Sequence, residues 1–151
     1  MKADPLMKTE MPLIVRYAET DAQGVAHHAN YLIWFEEGRS DALRQNGLHY
    51  TDFEKAGYFL VVAEANVRYK APIFYEDQLT IETTLTSFRS RIMKFSYRVL
   101  DKDGKVRAEG ETAHVVVGPD KRPTALPDSF IEQLEKIQAR DKKLASDNHK
   151  L

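Results

Sequence analysis

The chain lacks several features that would point to whole classes of protein. It contains no cysteine, which excludes disulfides, thiolate metal ligands and a cysteine nucleophile and fits a reducing compartment. Neither sign of charge dominates, because 22 Lys and Arg stand against 23 Asp and Glu, for a formal net charge of -1. We therefore do not expect this protein to bind nucleic acids through an excess of positive charge.

Long hydrophobic runs are also missing. The N-terminal residues MKADPLMKTE contain no apolar signal region, and no apolar run approaches the roughly 20 residues that cross a bilayer. We expect a cytoplasmic protein without stable membrane insertion. The 151 residues, 42% hydrophobic and 30% charged, predict one globular domain over residues 1–151, with a core at about 11–135 and a helix end and tail at 136–151.

Hydrophobic periodicity predicts an α+β arrangement. The first half reads as a strand over Met11–Ala18, a loop over Glu19–His28, and a long helix that begins between His28 and Asn30 and ends near Asn46, before Gly47. The second half reads as four strands and two helices: Thr51–Ala56 (helix), Phe59–Tyr69, Gln78–Phe88, Ile92–Leu100 and Val106–Val117 (strands), and Pro127–Leu144 (helix), with a frayed end at Ser146–Leu151. These elements predict a five-stranded antiparallel sheet that curls around the long helix.

The long helix is apolar almost all round in its first two turns, where Leu32, Ile33 and Trp34 widen a stripe that begins with Tyr31. Such a helix end is usually buried. Gly38 lowers the helix propensity by about 1 kcal/mol relative to alanine, which indicates a close backbone approach there.

Reactive groups are concentrated just ahead of this helix, where Asp21, Gly24, His27 and His28 fall within eight residues. Backbone N–H groups at a helix N-terminus can polarise a carbonyl, and a nearby carboxylate can attack it or activate a water. Asp21 could also serve only as a turn residue. The adjacent histidines do not share a face, and no cysteine or third nearby histidine completes a ligand set, so we expect no metal site.

The motifs D-A-x-G-V, H-A-N-Y and F-E-E-G-R, between Asp21 and Arg39, resemble the 4-hydroxybenzoyl-CoA thioesterase family of hotdog-fold proteins. The branch that they resemble most is the acyl-CoA thioesterases associated with bacterial Tol–Pal clusters. The resemblance continues through Asn66–Phe88 and Arg122–Phe130 and covers about Leu13 to Leu134. It implies a hotdog fold, in which a five-stranded antiparallel sheet wraps around a long central helix, and acyl-CoA thioester hydrolysis.

The resemblance also implies roles for residues of the loop. Asp21 corresponds to the catalytic carboxylate, which acts as nucleophile or general base. The N–H of His28 corresponds to the group that polarises the thioester carbonyl, and the side chain of this catalytic candidate could act as an acid, orient the substrate or only pack. Gly24 shapes the loop between them. His27 stands where relatives have an aromatic or apolar residue, so it is a candidate for acyl-chain preference.

Two further substrate-binding candidates lie downstream. Tyr31 is a core residue that could also line the acyl pocket. Glu64 interrupts an apolar strand, so it lies either on an exposed sheet face or in a site.

Arg89, Ser90 and Arg91 form a short basic cluster suited to the phosphates of coenzyme A, unless they are a solvated turn. The resemblance implies an acyl-CoA substrate as the partner and no need for a metal or redox cofactor. Relatives form homodimers or homotetramers with active sites at subunit boundaries, which implies the same for this chain. The alternatives are an acyl carrier protein thioesterase, a hotdog hydratase or dehydratase, and a non-catalytic acyl-CoA-binding protein.

Overall fold

The computed structural model describes residues 6–89 and 91–148. Five strands and three helices follow in the order β1 Leu6–Ile14, α1 Asn30–Gln45, α2 Tyr50–Lys55, β2 Phe59–Tyr69, β3 Gln78–Arg89, β4 Ile92–Leu100, β5 Val106–Val117 and α3 Asp128–Asn148. The strands form one antiparallel sheet in the order β1-β3-β4-β5-β2. The predicted five-stranded antiparallel sheet is confirmed, and β2 and β1 are its two edges.

Alternation along the strands gives the sheet an inner face that packs against α1 and an outer face. On β3 the inner side chains include Leu79, Ile81 and Leu85, all buried, because successive side chains of a strand point to opposite faces. The outer face carries ion pairs, among them Arg98 with Glu82 at 2.7 Å. One apolar face and one polar face leave a single core, between the sheet and α1.

Helix α1 lies directly on β3 at Gly38. A Cβ atom at this position would lie 2.6 Å from Oγ1 of Thr83 and 2.8 Å from Cγ2 of Ile81. The close backbone approach predicted at Gly38 is therefore confirmed. It brings the large inward side chains of α1, Trp34 and Phe35, into full burial.

The first strand is the element whose predicted bounds were wrong. The sequence predicts it over Met11–Ala18, but β1 runs from Leu6 to Ile14, and Tyr17–Glu19 forms a one-turn 3-10 helix. The carboxylate of Glu19 accepts a hydrogen bond from the N–H of Arg16 at 2.8 Å and closes that turn. This local bond overrides the β propensity of the segment.

The other elements lie where the sequence predicts them, to within a few residues. The predicted left-handed cap after α1 is confirmed by Gly47, whose φ is +77°. Helix α3 continues to Asn148, beyond the predicted end at Leu144 and into the segment expected to fray from Ser146. The rest of the predicted frayed tail lies outside the described residues.

The prediction that the first turns of α1 are buried all round was wrong. Leu32 and Ile33 are 42% and 48% exposed, and on the neighbouring edge strand Val62 and Tyr69 are each 52% exposed. We call this region, the exposed side of α1 together with the inner face and free edge of β2, the open flank. It stays open because β2 is a sheet edge and α1 packs mainly over β1 and β3.

Candidate functional site

Asp21 lies in a tight hairpin-like loop that its own carboxylate stabilises. Its Oδ1 accepts hydrogen bonds from the N–H groups of Gln23 at 2.8 Å and Val25 at 3.4 Å. The Asp21 N–H donates to the carbonyl of Val25 at 2.8 Å. Gly24 has a φ of +80°, a conformation that favours glycine. The loop-shaping role predicted for Gly24 thus has a conformational basis.

The loop returns directly to the start of α1. Thr20 and Ala26 form an antiparallel bridge, and the N–H of His27 donates to the carbonyl of Glu19 at 2.7 Å. The side-chain amide of Asn30, the first residue of α1, donates to the same carbonyl at 2.8 Å. These bonds hold the Asp21 segment alongside the helix N-terminus.

A buried carboxylate anchors the loop from beneath. Glu19 is 5% exposed, and its Oε2 accepts a hydrogen bond from the indole N–H of Trp34 at 2.7 Å. Burial alone would raise the pKa of Glu19, but the hydrogen bonds from the Arg16 amide and the Trp34 indole outweigh it and lower the pKa. The charged form is thus held in place under the site.

The backbone at the start of α1 offers a donor. The N–H of Ala29 is taken by Nδ1 of His27 at 3.1 Å, and the N–H of Asn30 by the carbonyl of His27 at 3.0 Å. Across residues 6–89 and 91–148, no acceptor binds the N–H of His28. It lies at the positive end of the helix dipole, where an anion or a polarised carbonyl is stabilised.

Two aromatic side chains border this helix end. The hydroxyl of Tyr69, on β2, donates to the carbonyl of His28 at 3.0 Å. Its ring meets that of Tyr31 edge-on, with centroids 4.8 Å apart. Burial raises the pKa of Tyr31 to about 12, so its hydroxyl stays protonated at neutral pH. The rings of His27 and His28 stack 4.2 Å apart, and both residues are exposed.

The structure thus brings together Asp21, Gly24, His27, His28 and Tyr31, but not the other predicted site residues. Glu64 lies on the outer face, in register with Ala113 and two residues from Asn66, whereas α1 covers the inner face.

The predicted coenzyme A cluster lies at the opposite end of the sheet from Asp21. Arg89 ends β3, whose other end, Gln78, pairs with Ile14 just before the loop. At about 3.3 Å per residue the 12-residue strand spans about 36 Å. Arg91 follows at the same hairpin, and Ser90 lies outside the described residues.

Sequence reasoning missed Glu19 and Tyr69, and it treated Trp34 only as a core residue. Glu19 and Trp34 lie 15 residues apart and Tyr69 lies 41 residues from its bond partner His28. No spacing rule links them, and only the fold brings them together.

Within the described ranges, no group of three or more His, Asp or Glu side chains could hold a metal ion. Nor does any helix in that part of the chain have the length and apolarity to cross a membrane.

Comparison with known proteins gives this geometry a context. The model of the family described as "Thioesterase-like superfamily" matches residues 15–134. The acyl-CoA thioester hydrolase YbgC of Escherichia coli is 33% identical over 125 residues, which are 82% of this chain and 93% of that protein. The match agrees with the branch that the motifs resemble.

Solved structures agree with the hotdog expectation. A DHNA-CoA thioesterase from Staphylococcus aureus is 30% identical, with a TM-score of 0.83 over 90% of this chain and 94% of that one. The protein SAV2348 from the same organism, solved in complex with CoA, is 19% identical with a TM-score of 0.80, over 89% of this chain and 85% of that one. At this lower identity the likeness concerns the fold alone.

Proposed function

The chain belongs to the thioesterase-like superfamily, and on that premise we propose that it hydrolyses acyl-CoA thioesters to free acid and CoA at the Asp21 loop. The observation that carries the proposal is local. The loop before α1 holds a carboxylate, Asp21, and an N–H without an acceptor among the described residues, that of His28, lies at the start of the helix.

The thioester carbonyl oxygen points at the N–H of His28. Negative charge develops on that oxygen as the tetrahedral intermediate forms, and the helix dipole favours it. Loss of one such donor typically costs about 2.7–4 kcal/mol of transition-state stabilisation. The Tyr69 hydroxyl, bound to the His28 carbonyl, fixes the orientation of this backbone.

Asp21 supplies the reacting carboxylate. Its Oδ1 is held by Gln23 and Val25, whereas Oδ2 has no hydrogen-bond partner in the described part of the chain. In one route Oδ2 attacks the carbonyl carbon, CoA leaves as its thiolate, and water hydrolyses the mixed anhydride. In the other, the carboxylate takes a proton from a water that attacks the carbonyl as the thiolate leaves. Neither route needs a metal ion.

A second subunit completes the proposed site. The open flank exposes a free sheet edge and the side chains Leu32, Ile33 and Val62, and an edge strand is a template for pairing. The Tyr50 hydroxyl accepts a hydrogen bond from the N–H of Leu60 at 3.1 Å, so pairing would begin beyond Leu60. We propose an antiparallel β2–β2 homodimer with a continuous ten-stranded sheet; a tetramer stays a prediction.

This dimer bears on the basic cluster. Arg89 and Arg91 lie near the Phe59 end of β2, because Ile92 pairs with Val115 and Val115 with Val61. The Asp21 loop lies near the Tyr69 end. A two-fold axis across the edges therefore brings the basic hairpin of one subunit towards the Asp21 loop of the other. Coenzyme A phosphates would then bind across the boundary.

The test is release of free thiol from a panel of acyl-CoA and acyl carrier protein thioesters, measured for wild type, Asp21→Asn and the control Asp103→Asn. Asp103 is an exposed turn residue in the hairpin between β4 and β5. We expect thiol release by wild type and Asp103→Asn, and a loss of at least about 100-fold in Asp21→Asn. No release from any thioester would contradict the proposal.

The rival functions give different results in the same assay. A hydratase would add water to an enoyl-CoA without releasing thiol, and a binding protein would retain acyl-CoA unchanged. A preference for acyl carrier protein thioesters would keep the chemistry and change the carrier. The cytoplasmic location expected from the sequence stays a prediction.

A further inference from the structure

A cavity of about 200 Å³ lies on the open flank, between α1 and β2. Its helix side is formed by Glu36, Arg39 and Ser40 and its strand side by Leu60 and Val62. Arg39 is nine residues after the first residue of α1, or at most about 14 Å along the helix axis at 1.5 Å per residue. An acyl group whose carbonyl lies at the helix start and whose chain follows α1 would reach this cavity.

Arg39 enters the cavity with its charge uncompensated. It is half-buried, and its Nη1 donates to the hydroxyl of Tyr97 at 3.0 Å. Among the described residues no carboxylate lies within 4.0 Å of its guanidinium, whereas Arg44 on the same helix pairs with Asp41 at 3.5 Å. A half-buried guanidinium that is bound only to a neutral phenol retains donors for a ligand oxygen.

A buried polar chain holds this guanidinium. The Tyr97 hydroxyl lies 2.6 Å from Oγ1 of Thr112, which lies 2.8 Å from Nε2 of His114. Tyr97 is also fixed by stacking on Phe35, with ring centroids 4.3 Å apart and an interplanar angle of 4°. The cation is therefore positioned by rigid neighbours rather than by a flexible surface contact.

The last member of this hydrogen-bonded series, His114, is polar as well. His114 is fully buried, and its Nδ1 has no hydrogen-bond partner in the described part of the molecule. Burial, with the charge of Arg39 adding to it, lowers the pKa of His114 to about 4. A purely hydrocarbon pocket needs no such groups beneath it, because buried polar atoms are costly unless they are paired.

Glu36 narrows the chemistry of the ligand. It lies three residues before Arg39 and lines the same cavity, yet no ion pair within 4.0 Å joins them among the described residues. A carboxylate-ended ligand would meet repulsion from Glu36, and a methyl end would offer Arg39 no acceptor beyond the Tyr97 hydroxyl. A hydroxyl can accept from Arg39 and donate to Glu36.

We propose that Arg39 and Glu36 form a specificity subsite for the distal end of the acyl group, and that the subsite selects a hydroxyl at that end. The inference rests on the proposed thioester hydrolysis at Asp21 and adds the class of acyl group to it. Tyr97, Thr112 and His114 are positioning residues that act through Arg39.

The test uses three CoA thioesters of equal length, decanoyl, 10-hydroxydecanoyl and decanedioyl, which end in a methyl, a hydroxyl and a carboxylate. Thiol release gives kcat/KM for wild type, Arg39→Met, Glu36→Gln and the control Arg44→Met. We expect wild type to favour 10-hydroxydecanoyl over decanoyl by about tenfold or more, the effect of one hydrogen bond to a charged group. Arg39→Met should remove that preference, Glu36→Gln should improve decanedioyl most, and Arg44→Met should leave the rates on all three substrates unchanged.

Two results would overturn the subsite. One is a wild type that prefers decanoyl or decanedioyl to 10-hydroxydecanoyl. The other is an Arg39→Met variant that loses all three substrates equally and dissociates on size-exclusion chromatography with light scattering, which would make Arg39 an interface charge between copies of the chain.

A binding measurement separates failure of the subsite from failure of the hydrolysis. Ketone analogues of the three thioesters, with a methylene in place of the sulfur, are titrated calorimetrically into wild type and Arg39→Met. We expect the hydroxyl analogue to bind more tightly than the methyl analogue to wild type only. Equal affinities would contradict the subsite even if no thioester is hydrolysed, and a retained preference would support it in that case.

Discussion

Replacing Glu19 by Gln tests whether a buried carboxylate holds the candidate site. The carboxylate accepts from the Arg16 amide at 2.8 Å and from the Trp34 indole at 2.7 Å. An amide of the same shape keeps one acceptor, but its NH2 group faces the second donor. The variant therefore loses a charge-assisted hydrogen bond and leaves a buried donor without an acceptor.

The size of the effect follows from that loss. One hydrogen bond to a charged group contributes about 1.5–3 kcal/mol, and Glu19 is only 5% exposed, so solvent screening is small. The guanidinium of Arg16 is 74% exposed, and its ion pair adds little. We expect the free energy of unfolding to fall by about 2–3 kcal/mol. At about 2–4 °C per kcal/mol for a chain of this size, Tm should fall by about 4–12 °C.

The pH dependence of the same pair gives a second readout. Because the folded pKa of Glu19 lies below the unfolded value of 4.5, its contribution is fully present above that value. It is lost as pH falls through the folded pKa. The difference in unfolding free energy between wild type and Glu19→Gln should be constant near neutral pH and shrink below about pH 4.5.

The assay is urea denaturation followed by tryptophan fluorescence at several pH values, with Glu37→Gln, an exposed position on α1, as the control. Thiol release by the folded variant should also fall, because the Glu19 carbonyl binds His27 and Asn30 at the start of the helix. A Glu19→Gln protein as stable and as active as the control would refute the anchoring role.

Three further results are expected. Gly38→Ala should lower the unfolding free energy by about 1–3 kcal/mol in chemical denaturation, because the new Cβ would lie 2.6 Å from Thr83 and 2.8 Å from Ile81; an unchanged or raised stability would contradict the contact. Ile33→Glu changes a side chain that is 48% exposed, so the subunit should still fold. Light scattering should then show a monomer, and thiol release should fall. An intact dimer would contradict the β2–β2 pairing. The pKa of His114 falls from 6.5 to about 4 in the folded protein, so the unfolded chain binds a proton at a higher pH than the folded protein does. The free energy of unfolding should therefore fall by up to about 3 kcal/mol as pH drops from 6.5 to 4. An NMR titration of the ring that gives a pKa near 6.5 would contradict this.

The sequence predicted most of the secondary structure because the signals were local. The predicted bounds of β2 and β5 were right to the residue, and the cap at Gly47 needed only its own backbone conformation. The first strand was misplaced because a side-chain bond from Glu19 closes a turn where β propensity is high. The β propensity of the residues does not predict that hydrogen bond.

The candidate site was predictable only in part. The spacing of Asp21 and His28 ahead of a helix was visible in the sequence. The pairing of β1 with β3, which places Arg89 at the far end of the sheet from the Asp21 loop, was not. The exposure of Ile33 and the hydrogen bond between Arg39 and Tyr97 also depend on the order of the strands in the sheet. Local sequence patterns do not predict that order.

The most direct test of the central claim compares the affinity and the rate of Asp21→Asn on one acyl-CoA that wild type hydrolyses. The side chain of Asn keeps an oxygen for the N–H of Gln23, so the loop and substrate binding should persist. We expect a Kd for the acyl-CoA near that of wild type, with kcat for thiol release lower by at least about 100-fold. A variant that binds and releases thiol as fast as wild type would contradict a catalytic role for the Asp21 carboxylate.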